Sequence, residues 1–410
     1  MSNFGRHWKL NLAMMSFSQL VIMTGYSAMM PFVPLYLKDK YGLIDEGQLG
    51  IYISLFTVAG TLAYALFNPI WGSLSDRWGV RPMLMRGTFG TAFIVPLMAY
   101  VPYVWLFIVL RFLMAACAGT TAASQTLIVK NTPSNKLGFA LGTFSSMFWA
   151  GAMLGNVVGG LSVHYFGYLS TFYLCAALYF TGGIFVLFSK EDKSTLINTK
   201  SGVTKSQVNV FPKFTIAVWT MLLLMFAYNF VRNIEIPFVP ILIEQIVGKD
   251  TAAYWTGITS AFVSVGALLS GVFIGYMSDR VKPQKIIIPA FVISVILLLL
   301  QAFATNLWVF GISRTLMYFF LGGILPVFQK ILSGVTPKQK RGKVFGWATT
   351  FNGLGLIAAS GVGGAIIYLM GTRATFWVAG IAVAALIPLS VKLTNKVMAM
   401  PFYIANAKKK

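Results

Sequence analysis

The sequence predicts an all-α membrane protein with twelve transmembrane helices in two parallel six-helix repeats. Three observations support this fold class: an apolar composition, a regular series of apolar runs, and an internal repeat. Of the 410 residues, 57% are hydrophobic and 10% are charged, whereas about a quarter of the residues in a soluble domain are charged. Because one crossing of the hydrocarbon core needs about 20 apolar residues, the chain has room for about a dozen.

Twelve apolar runs are predicted to be membrane-spanning helices. The first six lie at residues 11–37, 48–71, 83–103, 105–127, 139–163 and 169–188, and the other six at 214–244, 252–276, 284–304, 307–330, 343–367 and 374–394. Residues 189–213 are rich in Lys, Ser, Thr and Asn and are predicted to be a flexible cytoplasmic linker. The predicted domains are an N-terminal bundle at 1–188, this linker, and a C-terminal bundle at 214–410 with a short basic cytoplasmic tail.

The two halves repeat the same residues at a nearly constant displacement. The matches, 203 to 206 positions apart, pair Gly72, Asp76 and Arg77 with Gly275, Asp279 and Arg280, Arg111 and Gly119 with Arg314 and Gly322, Gly159 and Gly160 with Gly363 and Gly364, and Pro31 and Pro34 with Pro237 and Pro240. An even number of spans per half gives both halves the same orientation, so they are parallel repeats about an axis along the membrane normal. This geometry predicts a central cavity between the halves.

The net charge of +22 is interpreted as a sign of orientation in the membrane and not of nucleic-acid binding, because basic residues cluster between apolar runs. With both termini cytoplasmic, all but seven of the 32 Lys and Arg residues fall on the inner side. The exceptions are Lys38, Lys40, Lys249 and Arg373 in outer loops and Arg111, Arg232 and Arg314 within spans. We expect a multi-pass, monomeric protein of the inner (plasma) membrane whose partners are lipid, protons and a small-molecule substrate.

No catalytic or metal-binding pattern is found in the sequence. Two cysteines, Cys117 and Cys175, lie inside apolar runs, and the only histidines are His7 and His164, so neither a disulfide framework nor a zinc site is indicated. A nucleophile with a base at membrane depth and a G-x-x-x-x-G-K-[S/T] phosphate loop are also missing from the sequence. We therefore expect no enzymatic activity, no cofactor and no direct use of ATP, which leaves an ion gradient as the energy source.

The loop between the second and third spans reads Gly72-Ser-Leu-Ser-Asp76-Arg77-Trp-Gly79-Val-Arg81. It resembles the G-x-L-x-D-R-x-G-R loop of the major facilitator superfamily, and with its weaker copy in the second half and the twelve spans the resemblance covers nearly the whole chain. The resemblance implies a latch of the cytoplasmic gate, whose charge-assisted hydrogen bonds form in one conformation and break in another. A solvated turn with basic residues is the alternative. The gate candidates are Gly72, Asp76, Arg77 and Arg81, with Asp279 and Arg280 as partial counterparts.

Arg111 lies several residues inside the fourth span, and Arg314 holds the equivalent position in the tenth. Because an arginine at mid-span costs about 2.5 to 3.5 kcal/mol on insertion scales, both side chains should face protein or water. The segment around Arg111 resembles the span-four motif of drug/proton antiporters, with Met114 in place of Gln and Ala115 in place of Gly, which implies a role in proton coupling. A structural arginine bonded to backbone or to a neighbouring helix is the alternative, and for Arg314 it is the preferred one.

Glycines recur along the fifth span in Gly151-Ala-Met-Leu-Gly155-Asn156-Val-Val-Gly159-Gly160. The segment resembles the G-x-x-x-G-P-x-x-G-G element of antiporters in the same superfamily, although Asn156 replaces the proline, which weakens the inference of export. Glycines four residues apart lie on one helical face and allow close helix packing. The expected packing positions are Gly151, Gly155, Gly159 and Gly160, and in the eleventh span Gly355, Gly363 and Gly364.

Arg232 and Glu235 stand three residues apart in the seventh span and can meet on one helix face. Glu235 is the only acidic residue expected deep within a span. Burial and a nearby arginine change the proton affinity of a carboxyl in opposite senses. Two hypotheses stay open: Glu235 is a proton site that Arg232 modulates, or the two residues form an ion pair that closes the outer gate.

A minority of the aromatic, Met and polar side chains is expected to line an adaptable substrate cavity. Core, lipid-facing or interfacial positions are the alternative for each of them. The candidates are Gln19, Tyr26, Phe148, Trp149, Asn229, Arg314, Tyr318 and Asn352.

The segments Pro31-Phe-Val-Pro34-Leu-Tyr and Asn135 to Gly142, together with the gate loop, are similar to bacterial multidrug efflux proteins of the drug/proton antiporter branch. The resemblance implies secondary active, proton-coupled export of amphipathic drug-like compounds by alternating access. One alternative is export of a specific anionic metabolite, such as a carboxylate siderophore, with the arginines of the spans as anion contacts. Uptake by symport or facilitated diffusion is another.

Overall fold

The computed structural model describes residues 8–133, 136–190, 214–336 and 341–398, in which every regular element is a helix. The α-helices are α1 (Trp8–Met29), α2 (Val33–Tyr41), α3 (Glu46–Trp78), α4 (Val80–Tyr100), α5 (Val104–Cys117), α6 (Thr120–Asn131), α7 (Leu137–Phe166), α8 (Tyr168–Leu187), α9 (Ile216–Asn233), α10 (Val239–Val247), α11 (Lys249–Arg280), α12 (Gln284–Ala302), α13 (Leu307–Gly322), α14 (Ile324–Gly334), α15 (Arg341–Met370) and α16 (Thr372–Met398). Short 3-10 turns at Met30–Phe32 and Ile236–Phe238 join α1 to α2 and α9 to α10.

Most of these helices are long enough to cross a bilayer. Within the described ranges, eleven helical segments have the length and apolar composition of a membrane span, and α5 is a shorter apolar helix. Together with α6, which follows it directly, α5 occupies the predicted fourth span. The predicted all-α membrane fold with twelve spans is thereby confirmed.

Four of the predicted spans are interrupted, in matching positions of the two repeats. The first and seventh spans tighten into a 3-10 turn that begins beside Pro31 and Pro237, because proline has no backbone N–H with which to continue an α-helix. The fourth span breaks at Gly119, whose φ of 107° is a conformation that favours glycine. The tenth span breaks at Gly323.

The chain divides into two compact units. One contains residues 1–41, 59–210 and 253–261, and the other contains 42–58, 211–252 and 262–410. Each of the long helices α3 and α11 therefore contributes one part to each unit. The predicted domain boundaries stay a prediction, and most of the predicted linker (191–213) and of the basic tail (399–410) lies outside the described residues.

Within the first unit, α1 packs against α7 and α8, and α4 packs against α8. Three glycines four residues apart on α7 face the backbone of α1: a Cβ atom on Gly151, Gly155 or Gly159 would collide with the carbonyl oxygen of Leu20, Thr24 or Ala28. These carbonyl groups are also four residues apart. The two helices therefore touch along their backbones over two helical turns, as small residues permit in membranes.

Within the second unit, α9 packs against α15, and α12 packs against α13 and α16. A Cβ atom on Gly355 would lie 2.6 Å from the carbonyl oxygen of Phe226, and one on Gly363 would lie 2.5 Å from that of Ile234. The α9–α15 contact thus repeats the α1–α7 contact. Gly160 and Gly364, one residue further along, face other helices: Gly160 lies against Gly257 of α11, and Gly364 lies against Ser54 of α3.

Candidate functional site

A buried ion pair joins the seventh and tenth spans in the second unit. Arg314 Nη2 donates to Glu235 Oε2 at 2.9 Å, and the two side chains are 5% and 1% exposed. Glu235 lies just after α9, which ends at Asn233, and directly before the 3-10 segment that carries Pro237. Because a charge in the membrane interior is stable only when it is paired or solvated, this pair holds both spans at one point.

Arg232 contributes a second guanidinium group to the same place. Its Cζ atom lies 5.3 Å from the centre of the Tyr318 ring, and the Cζ atom of Arg314 lies at the same distance from that ring. We call Glu235, Arg232, Arg314 and Tyr318 the charge cluster. It contains two cations and one carboxylate, and the direct partner of Glu235 is Arg314 of the tenth span, where the sequence suggested Arg232.

The equivalent place in the first unit has a different chemistry. Arg111 Nη2 donates to the Tyr26 hydroxyl at 3.3 Å, and Nη1 contacts Met114 Sδ at 3.6 Å. By the repeat displacement of the first span, Tyr26 corresponds to Arg232, and Met29 corresponds to Glu235. The carboxylate that pairs with the arginine in the second repeat is therefore replaced by a thioether side chain in the first.

Gly60 of α3 makes room for Arg111. A Cβ atom on Gly60 would lie 2.5 Å from Arg111 Nε and 2.7 Å from Cζ, closer than any real side chain could come. The guanidinium group therefore lies directly on the backbone of α3.

The other cavity candidates form separate pairs. Gln19 Nε2 donates to Thr121 Oγ1 at 3.2 Å, and Asn229 Nδ2 donates to Asn352 Oδ1 at 2.8 Å between α9 and α15. Phe148 and Trp149 contact each other edge to face with ring centres 5.3 Å apart, and Trp149 is exposed.

The gate candidates are described only in part. Arg81, in the first turn of α4, donates from Nη2 to the carbonyl oxygen of Leu187 at 2.5 Å, at the C-terminal end of α8. Gly72 is exposed, and Arg280 is exposed with its guanidinium group 4.1 Å from the centre of the Tyr276 ring. The side chains of three candidates lie outside the described residues: Asp76, Arg77 and Asp279.

Two polar residues of the spans were not identified from the sequence. Arg86, counted there among the inner-side charges, lies inside α4, with Cζ 3.4 Å from the centre of the Trp71 ring. Its Nη2 donates to the carbonyl oxygen of Ala118 at 3.2 Å, beside the break in the fourth span.

Gln301, in the apolar run of α12, accepts a hydrogen bond from Arg314 Nη1 at 3.1 Å. A charged or amide side chain inside an apolar run is the signal that identifies both.

Comparison with known proteins agrees with this arrangement. The family model of the Major Facilitator Superfamily matches residues 15–255 and 221–398 in two overlapping segments. The chain belongs to the Major Facilitator Superfamily. Superfamily relatives include the multidrug resistance protein MdtG of Citrobacter koseri, which is 30% identical over 379 residues (91% of this chain and 92% of that protein). MdtG of Salmonella arizonae is 29% identical over 373 residues, with the same coverage.

Solved structures of three transporters have a similar fold. The nucleoside transporter NupG has a TM-score of 0.74 at 14% identity and covers 95% of this chain and 99% of its own. A D-xylose-proton symporter has a TM-score of 0.71 at 14% identity, with 94% and 97% covered. The human organic anion transporter MFSD10 has a TM-score of 0.63 at 15% identity, with 94% and 99% covered. At these identities the similarity concerns the fold alone.

Proposed function

We propose that this Major Facilitator protein exports amphipathic, drug-like compounds in exchange for protons, by alternating access between its two repeats. The similarity to the MdtG proteins over nine-tenths of the chain supports the substrate class. One observation supports coupling: a carboxylate buried within the membrane-spanning region and paired with an arginine. Ionisable residues at membrane depth are typical of proton relays in transporters.

Glu235 is the proposed proton site. Its ion pair with Arg314 is complete when the carboxyl is ionised, and protonation removes the charge that holds the seventh and tenth spans together. A group of this kind can couple proton binding to a change of conformation, because the two protonation states favour different contacts. Arg111 and Tyr26 are the proposed counterparts in the first repeat, where Met29 stands at the position that corresponds to Glu235.

Transport in proteoliposomes tests this role. With ethidium as the transported probe and an imposed pH gradient, Glu235→Gln is expected to reduce uphill transport to the level of protein-free vesicles, because the substituted amide cannot exchange a proton. Glu244→Gln is the matched control, since Glu244 lies in the same span but close to its C-terminal end at Val247, and it should retain transport. Normal pH-driven transport by Glu235→Gln would refute the proton-site assignment.

A second candidate function is export of an organic anion. It is favoured by the composition of the charge cluster, in which two guanidinium groups face one carboxylate, and by the additional arginine Arg111 in the first unit. A guanidinium group can bind a carboxylate or phosphonate substrate through two parallel hydrogen bonds. Competition of ethidium transport by organic anions and by lipophilic cations separates the two candidates: inhibition by one anion alone would favour the specific exporter.

We propose that both termini lie in the cytoplasm. We also propose that the protein is a monomer in the plasma membrane. The bias of Lys and Arg towards one side of the predicted topology supports the cytoplasmic placement of the termini. Inverted membrane vesicles test both the orientation and the direction of transport, because an exporter accumulates substrate inside them and an uptake symporter does not.

A further inference from the structure

Gln301 is a fully buried polar side chain at the end of α12, beside the charge cluster. Its Nε2 atom donates to the carbonyl oxygen of Leu297 at 3.1 Å and contacts Met317 Sδ at 3.6 Å, and its Oε1 atom accepts from Arg314 Nη1 at 3.1 Å. Because a guanidinium group has only donors, the amide must turn its oxygen towards it. The amide is therefore held from both sides.

Arg314 is consequently fixed at two points by two other spans. Nη1 is bonded to Gln301 of α12, and Nη2 is bonded to Glu235 of the seventh span. The first bond is to a neutral acceptor that does not titrate, and the second is to a carboxylate that can. A change in the protonation of Glu235 therefore affects one of the two bonds and leaves the other in place.

The ionisable groups that face Glu235 come from two elements. Arg314 and Tyr318 belong to α13, and Arg232 belongs to the span of Glu235 itself, with Tyr228 beside Arg232. Gln301 is the neutral polar group that α12 adds. Among these groups, Arg314 makes the direct hydrogen bond to the carboxylate, so its position has the largest effect on the ionised form.

We propose that Gln301 is the positioning residue of the proton site: it holds the Arg314 guanidinium group in its present position through both protonation states, ready to pair with Glu235 whenever the carboxyl is ionised. This inference rests on the proposed role of Glu235. An arginine that loses its anionic partner inside a membrane is costly and moves towards water or another acceptor. The Gln301 oxygen is such an acceptor, and it already binds Arg314. The ion pair therefore re-forms as soon as Glu235 loses its proton.

We expect the position of Arg314, as fixed by Gln301, to determine the proton affinity of Glu235. Without Gln301, Arg314 is free to leave the carboxylate, and the ionised form of Glu235 loses stabilisation. Protonation of Glu235 should then persist to higher pH. The expected displacement is about one pH unit, which corresponds to a tenfold change in proton affinity.

Infrared spectroscopy of the purified full-length protein in lipid nanodiscs measures this directly. The carboxyl absorption that disappears in Glu235→Gln identifies the residue, and its intensity is followed against pH. In Gln301→Leu the midpoint should rise by about one unit. Gln284→Leu is the matched control, because Gln284 lies at the other, exposed end of α12 and bonds to Asn395, and its midpoint should equal that of the wild type.

Gln301→Asn provides a second variant if the leucine variant does not fold, because its shorter side chain withdraws the oxygen from Arg314 while it keeps the amide. An unchanged midpoint in a folded Gln301 variant overturns the inference about Gln301 and leaves Glu235 as the proton site. A pH-driven exporter that transports normally after Glu235→Gln overturns the proposed function instead. The two failures are therefore distinguishable.

Discussion

At the scale of single residues, a small substitution at Gly60 should reduce transport without lowering the stability of the fold. The three atoms nearest to the Cβ atom of Gly60→Ala all belong to the end of a flexible side chain, the guanidinium group of Arg111. The fold can adapt by moving that group. Because displacement of a functional group by about 1 Å can reduce a rate about a hundredfold, we expect a clear loss of proton-driven ethidium transport, while the thermal unfolding temperature stays close to that of the wild type.

The control for Gly60→Ala is Gly361→Ala, which adds the same methyl group in the interior of α15, where nothing lies within 4 Å of the new atom. This variant should transport normally. If Gly60→Ala transports as well as Gly361→Ala, proton-driven transport does not depend on the present position of the Arg111 guanidinium group.

The residue types of the charge cluster could be predicted from the sequence, but not their pairing. Charged side chains are rare within apolar runs, so Arg232, Glu235 and Arg314 were recognisable one by one. Helical spacing suggests contact between Arg232 and Glu235, which are three residues apart. The structure instead pairs Glu235 with Arg314, 79 positions away, because the packing of two spans decides which guanidinium group reaches the carboxylate. Local spacing carries no information about that packing.

At the scale of helices, the glycine row of α7 should determine how stably α1 is packed. Gly155→Ala places a methyl group against the carbonyl oxygen of Thr24, and because backbone atoms cannot move aside, we expect destabilisation of about 1 to 3 kcal/mol. Thermal unfolding of the purified protein in detergent measures it. Gly142→Ala in the same helix meets nothing within 4 Å and should be neutral or stabilising by up to about 1 kcal/mol, because alanine favours helix. Equal stability of the two variants would contradict this packing role.

The interruptions of the spans show what a sequence pattern can and cannot reveal about helices. Apolar runs locate the fourth and tenth spans correctly, and the repeat pairs Gly119 with Gly322. The break itself depends on partners from other helices. In the first unit, Trp71 Nε1 donates to the carbonyl oxygen of Ala116 at 2.6 Å, and Arg86 donates to that of Ala118. These contacts satisfy carbonyl groups that an unbroken helix would use itself, and no single-helix pattern predicts them.

At the scale of the whole molecule, the unit boundaries cut across the sequence repeats. Residues 42–58 of the first repeat belong to the second unit, and residues 253–261 of the second repeat belong to the first. The repeats themselves were predictable from residue matches alone. This exchange was not, because it reflects which helices are in contact in one conformation, and the same sequence must support others during alternating access.

Glu46 forms hydrogen bonds that join residues 42–58 to the second repeat. Its Oε2 atom accepts hydrogen bonds from the backbone N–H and the hydroxyl of Thr372, at 3.0 and 2.8 Å, and its Oε1 atom accepts from Gln245 Nε2 at 2.7 Å. Thr372 is the first residue of α16, so the carboxylate also lies at the positive end of that helix dipole. Charge-assisted bonds of this kind must break whenever this part of α3 leaves the second repeat.

Removal of the Glu46 charge should therefore shift the conformational equilibrium towards states in which α3 is released. With Cys117 and Cys175 replaced by alanine, Ser54→Cys reports release, because Ser54 is buried against Gly364. Glu46→Gln should increase its labelling by an impermeant maleimide about fivefold, as expected for a loss of about 1 kcal/mol. Asp45→Asn removes the same charge from the neighbouring residue, which precedes α3 and whose carboxylate accepts from Gln48 N in the first turn of that helix, and it should leave labelling unchanged. Equal labelling in the two variants would mean that residues 42–58 are held by packing alone.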